Sequence, residues 1–237
     1  MKNVSRQERG DRRRESPCPL CQANTKFFLF QPHREYRQCL NCRLIFVPTR
    51  FFLTRDEEKT RYLEHENSLN NPGYVKMFQD KIDVVRTICS GVVKVLDYGC
   101  GYEPVLKTLL LREGYLAEEY DTYFFPQRKL VPGYDLIIST ETFEHFREPK
   151  NEVDKLVSLL SPMGYLAVMT RFFPEEGHQS SSEVFQNWYY QRDPTHIVFY
   201  SSHTFAWIAK DKGLKIIYNN EKDFIILQNS PDNKSFF

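Results

Sequence analysis

The sequence predicts an α/β fold on an open, mostly parallel sheet, preceded by a small cysteine-rich module. Three observations predict it. Lys94 to Pro104, KVLDYGCGYEP, reads as strand, glycine turn and helix start. Strand-like apolar runs then alternate with amphipathic helical stretches as far as Gln228. Two Cys-x-x-Cys pairs stand near the N-terminus.

The 237 residues suffice for one full core plus an appendage. Charged residues make up 27% of the chain, but the net charge is only +1, which disfavours an electrostatic nucleic-acid binder. No apolar run reaches the roughly 18 residues a membrane span needs. The start of the chain lacks an apolar signal core, so a soluble cytoplasmic protein is the expectation. In that compartment the six cysteines should be reduced, and paired Cys-x-x-Cys motifs then point to metal.

Residues 1–16 are rich in Arg and nearly free of aliphatics, which predicts a disordered arm. Residues 17–48 form a unit. Cys18 and Cys21 are followed, seventeen residues on, by Cys39 and Cys42. The intervening FFLF and following LIFV read as short strands. Two such knuckles place four thiolates around Zn²⁺ as a zinc ribbon, a closed and therefore structural site. It would supply folding energy to a segment too small for its own core. Residues 49–91 read as a helical connector. Arg50 to Glu66 is charged and helix-compatible, Asn70 to Gly73 is a turn signal, and Tyr74 to Ile88 carries apolar residues at helical spacing. Tyr62, His65, Asn67 and Tyr74 are placed to form a lid or, equally, ordinary helix surface.

Residues 92–229 carry the sheet. Val92 to Leu96 is the first strand. Pro104 opens a helix whose Val105, Leu106, Leu109 and Leu110 share a face, and Gly114 stops it. A dinucleotide fingerprint would need glycine at Pro104, and Asp97 would repel a pyrophosphate, so a dinucleotide oxidoreductase is disfavoured. An adenosine with a cationic end fits better. The second strand, from Leu116, ends at Asp121, twenty residues after Gly101, where an acid accepts from ribose hydroxyls; Glu118 and Glu119 lie nearby. Only thirteen residues then precede Asp135, with two prolines among them, which predicts an abbreviated crossover. Phe124 or Phe125 covers an adenine there or belongs to the core. Tyr134 to Ser139 is a buried-type strand. Pro149 to Leu160 is an amphipathic helix and Tyr165 to Thr170 the next strand. Arg171 to Phe199 is long, aromatic and not obviously regular. Ser202 to Lys212 reads as a capped helix, and Leu214–Tyr218 and Phe224–Gln228 as a hairpin, after which the tail should fray.

Asp97-x-Gly99-x-Gly101 resembles the first motif of class I S-adenosylmethionine-dependent methyltransferases, which usually have another glycine where this chain has Glu103. Thr140 to Phe146 resembles the fourth motif of small-molecule and quinone methyltransferases, with Glu141, Glu144 and His145 matching. Trp188 to Ser201 resembles a segment of a methyltransferase subgroup that carries an N-terminal zinc ribbon. The resemblance implies a Rossmann-like, seven-stranded sheet ending in an antiparallel hairpin, with S-adenosyl-L-methionine as cofactor. Asp97, Gly99 and Gly101 would hold its methionine end and Asp121 its ribose. Glu141 would bind near the amino-acid end or shape the loop. The subgroup further implies a substrate pocket walled by Tyr62, His65, Tyr189, Asp193 and His196.

Methyl transfer to oxygen or carbon of a small molecule is the function expected. His145 and His196 are the candidate bases, because imidazole titrates near neutrality. The alternatives are an RNA- or protein-binding module with a vestigial or sensing cofactor site, and a ribosomal RNA methyltransferase.

Overall fold

A computed structural model describes residues 16–64, 67–174 and 181–230. The basic arm, His65 and the C-terminal tail beyond residue 230 lie outside the described residues. The chain begins with a hairpin, β1 (Thr25–Gln31) and β2 (Arg34–Cys39), followed by the short β3 (Ile45–Phe46). The connector contains α1 (Arg55–Leu63) and α2 (Pro72–Ile88). Thr54 and Glu57 close a reciprocal capping box on α1, and the Asn71 side chain caps α2, so both helices start where orphan amides find side-chain acceptors.

The main sheet begins with β4 (Lys94–Tyr98), α3 (Val105–Arg112) and β5 (Leu116–Tyr120). It continues with β6 (Tyr134–Thr140), α4 (Pro149–Leu159) and β7 (Leu160–Met169). The irregular stretch that follows holds α5 (Ser181–Asn187) and the two-residue β8 (Val198–Phe199). The chain ends with α6 (Ser202–Lys212), capped by Ser201 and stopped by left-handed Gly213, then β9 (Leu214–Asn219) and β10 (Phe224–Asn229).

The strand order is β5-β4-β6-β7-β10-β9, with β10 antiparallel to both neighbours and the remaining pairs parallel. Helices cover both faces. α2 and α3 pack on one through Phe78, Ile82, Val105 and Leu109; α4 and α6 pack on the other through Val153, Leu156, Phe205 and Ile208. A sheet buried on both faces needs near-continuous apolar strands, which is how the run Leu136–Ile138 reads.

Two differences from the sequence reading matter for function. The sheet has six strands among the described residues, where seven were expected. The missing one belongs between β5 and β6, where residues 121–133 form turns. Pro126 and Pro132 cannot donate to a ladder, and the segment is too short for a helix and a strand. β5 is therefore the sheet edge.

The cysteine module, second, does not stand apart. β3 pairs antiparallel with β8, making a four-stranded sheet of order β1-β2-β3-β8 from segments about 150 residues apart. Tyr36, Ile45 and Val47 share a core with Phe173, Phe185 and Phe199, while Cys18, Cys39 and Cys42 pack with Tyr200 and Phe205. The expected boundary at residue 48 is thus a change of strand pattern rather than a gap in packing.

Candidate functional site

A cavity of about 870 Å³ opens at the carboxyl ends of β4, β5 and β6, where open α/β sheets take ligands. The glycine turn after β4 forms its floor. Gly99 has φ +84°, and a Cβ there would lie 2.3 Å from the Thr142 side chain. The turn must therefore be glycine both for its dihedral and for the close approach of the loop after β6. Gly101 has φ +70° with open space around it, so only the dihedral demands glycine.

Asp121 ties this turn to β5. Its Oδ2 accepts from Gly101 N at 3.1 Å, and its Oδ1 from Tyr123 N at 2.7 Å and Phe124 N at 3.1 Å. A carboxylate offers about four lone-pair positions. Three are used, so Oδ2 keeps one for a ligand hydroxyl on the cavity wall. Asp97 behaves otherwise. It is buried, does not line the cavity, and its Oδ2 accepts from Lys107 N at 3.1 Å at the start of α3. Burial pushes its carboxyl up to about 7. Asp97 was expected to hold the methionine end of a cofactor; here its carboxylate stands at the end of β4 and binds the start of α3.

Glu103, in the place of an expected glycine, has a use of its own. Its Oε1 accepts from Leu69 N at 3.0 Å and Ser68 Oγ at 3.3 Å, pinning the connector over the corner. Glu58 of α1 adds a second clasp. It is buried and accepts from Arg147 at 2.8 Å and from the Tyr123 hydroxyl. Tyr62, Asn67 and Tyr74 thereby line the cavity. His65, grouped with them on sequence, lies outside the described residues.

At the far wall β6 ends in a strained turn, with Glu141 at φ +49°. Glu141, Glu144, His145 and His196 line the cavity together. Tyr190 joins them: its hydroxyl donates to Glu144 Oε1 at 2.5 Å and lies 3.5 Å from Glu141 Oε2. Burial, and for Glu141 the neighbouring Glu144, pushes the two carboxyls up to about 8 and about 7. The His145 Nδ1–H donates to the Thr195 carbonyl at 3.0 Å, and the His196 Nδ1–H to the Tyr190 carbonyl at 2.7 Å. Both rings are held below the usual imidazole range by burial; His196, next to His145, falls to about 3. Both are therefore neutral, with lone pairs on Nε2. The rings lie 4.9 Å apart, and Tyr62 stands 5.1 Å from His145, edge-on.

Two expected wall residues are elsewhere. Tyr189 is 57% exposed and does not line the cavity; its neighbour Tyr190 is the buried one. An irregular segment has no period from which to tell which tyrosine turns inward. Asp193 is absent from the wall too. Its carboxylate takes Arg61 of α1 at 3.0 Å and the amide and hydroxyl of Thr195 at 2.9 and 2.6 Å. Asp193 thus shapes the turn that presents His196. Arg34 of β2 holds the same turn, donating to the His196 carbonyl at 2.5 Å and the Asp193 carbonyl at 3.0 Å. Arg34 carried no sequence signal, and Tyr190 only the resemblance of the segment it shares with Tyr189. Glu144 carried one, through its match to the acid-x-x-acid-His segment.

The four module thiols converge. Cys18 and Cys42 Sγ are 3.6 Å apart, Cys21 and Cys39 Sγ 3.3 Å, and all four lie within 4.8 Å of one another. Tetrahedral Zn²⁺, at about 2.3 Å from each sulfur, sets S–S distances of roughly 3.8 Å. Gln22 and Arg43, each following the second cysteine of a pair, are both left-handed, so the two knuckles repeat one turn. Cys39 Sγ accepts from Asn41 N and Cys42 N at 3.3 and 3.4 Å, bonds suited to a thiolate. The donor set fits zinc.

A glycine turn and the Asp121 carboxylate beside a cavity at the carboxyl end of a mostly parallel sheet define an α/β protein with a candidate ligand site there. A family model described as a methyltransferase domain matches residues 33–219, and the chain belongs to that family. An O-methyltransferase family protein from Burkholderia thailandensis is similar in fold, with a TM-score of 0.50 at 16% identity over 73% of this chain. The chain spans 63% of that protein's length. A SAM-dependent methyltransferase from Aquifex aeolicus gives a TM-score of 0.47 at 18% identity, covering 72% of this chain and 98% of that one. At such identities the likeness concerns the fold alone. No curated protein matches the chain. Among the described residues no helix is long and apolar enough to cross a membrane.

Proposed function

We propose that this chain is an S-adenosylmethionine-dependent methyltransferase acting on oxygen or carbon of a small-molecule acceptor, with structural zinc in its N-terminal ribbon. The observation that carries the reading is one cavity lined by the Gly99–Gly101 turn, the spare acceptor position of Asp121 and two neutral histidines. The turn and the loop around Glu141 would take the methionine end of the cofactor, and Asp121 its ribose. The cofactor supplies a methyl already activated on a sulfonium, so the protein need only align an acceptor and exclude water.

The connector clasped by Glu58 and Glu103 does the excluding. His145 is the better proton acceptor of the two histidines. His196 is held far below neutrality, whereas His145 Nε2 stands 4.0 Å from Glu144 Oε1, whose charge would steady an imidazolium. An acceptor O–H or activated C–H would pass its proton to that Nε2. His196 packs behind as part of the wall.

The test is calorimetric titration of the zinc-loaded protein with S-adenosylmethionine and S-adenosylhomocysteine. Micromolar binding, about −8 kcal/mol, that weakens roughly tenfold or more in Asp121→Ala supports the reading. Failure of the folded, zinc-loaded protein to bind either compound overturns it.

A further inference from the structure

The Glu144, His145 and His196 cluster on the cavity wall has a property that proton acceptance does not use. Both histidines give their Nδ1–H to backbone carbonyls, Thr195 for His145 and Tyr190 for His196. This is the outer-shell arrangement that orients a metal-bound imidazole, because it fixes the tautomer and leaves Nε2 as the ligand atom. Glu144 lies beside them, its Oε1 4.0 Å from His145 Nε2. Its Oε1 takes the Tyr190 hydroxyl, and its Oε2 is buried without a hydrogen-bond partner. A bare buried carboxylate oxygen is one that an ion would satisfy. One ligand atom from each of Glu144, His145 and His196 lies within 4.8 Å of the other two.

We propose that Glu144, His145 and His196 form a second metal site, for a divalent first-row transition ion, separate from the four-cysteine site. Two imidazoles and one carboxylate suit zinc, cobalt or nickel, whereas magnesium and calcium prefer oxygen alone. Bonds of about 2.1 Å require ligand atoms roughly 3.4 Å apart, so loading draws the three side chains inward by an ångström or so. Tyr190 and Arg34 already hold two of the three from behind. Because the residues line the cavity, the position opposite the protein ligands faces the acceptor space. The ion takes the nitrogen lone pairs that would otherwise accept a proton, so the two uses of this cluster exclude each other. Occupancy would therefore withdraw His145 from base catalysis and offer an acceptor oxygen a Lewis acid instead.

The site is tested without cofactor or acceptor, so the result is independent of the methyl-transfer reading. Protein with its cysteine site filled by one equivalent of zinc is equilibrated with micromolar Co²⁺, and metals are counted by mass spectrometry beside the visible spectrum. The expected result is one equivalent of cobalt whose spectrum lacks a thiolate charge-transfer band, reduced at least tenfold in affinity in His196→Gln and in Glu144→Gln. Melting curves of the zinc-only variants establish that each is folded. No cobalt bound by the wild type overturns the proposal. So does cobalt retained unchanged in both variants, or a spectrum with sulfur bands, which would place the ion on cysteine sulfur instead.

Discussion

The Tyr190 hydroxyl donates to Glu144 Oε1 at 2.5 Å, from forty-six residues further along the chain. That bond joins the irregular segment after β7 to the turn after β6. The Ile197 amide donates to the Glu144 carbonyl at 2.8 Å, and the Val47 amide to the Ile197 carbonyl at 2.8 Å, so a continuous backbone path runs from the cysteine module to the cavity wall.

Tyr190→Phe removes a donor from a buried carboxylate and leaves both Glu144 oxygens bare. The expected loss is about 1–3 kcal/mol of unfolding free energy. It should be larger at pH 8, where Glu144 is charged, than at pH 5, below the value of about 7 to which burial raises it. Denaturant melts at the two pH values check this. Equal losses at the two pH values would show that the bond does not depend on the charge of Glu144, and no loss at either would show that Tyr190 acts by packing alone.

Gly99→Ala and Gly101→Ala should differ sharply. Both force a side chain into a left-handed turn, at about 1–2 kcal/mol. Only at position 99 does the new methyl also strike Thr142. Thermal melts and cofactor titration should find Gly101→Ala folded with weakened binding, and Gly99→Ala without measurable binding.

Asp97→Asn reads out a buried carboxyl through pH. The folded value of about 7 lies above the ordinary 3.8, so its protonated form favours folding. That stability is present in full below 3.8 and is lost as pH rises through about 7, with an upper bound of about 4 kcal/mol. Asparagine is neutral throughout. The melting temperature of Asp97→Asn minus that of the wild type should therefore climb from pH 4 to pH 7 and flatten above. A difference independent of pH refutes the assignment.

On the proposed reading of the four-cysteine site as a zinc site, stripping its metal with a chelator should loosen more than the module. Because β3 pairs with β8, amide exchange is expected to quicken at Val198 and Phe199 together with Ile45 and Phe46. Cofactor affinity should fall as His196 and Glu144 lose their support. Protection lost only before residue 48 would mean that the module folds by itself.

Much of this protein is written locally. The strand, glycine turn and helix around Asp97, Gly99 and Gly101 follow from dihedral needs and apolar spacing within a dozen residues. The two Cys-x-x-Cys pairs, and His145 at the end of a buried strand, are equally readable in the chain. The shortened crossover was legible as a count of residues and prolines. Tertiary structure decided the rest. Asp97 turned toward a helix amide, Tyr190 rather than Tyr189 turned inward, and Asp193 was taken by Arg61. β3 found β8 across most of the chain. The physical reason is that Tyr190 and Asp193 sit in an irregular segment where no hydrophobic period sets a facing direction, while the bond of Asp97 and the pairing of β3 depend on partners that only the folded chain brings near.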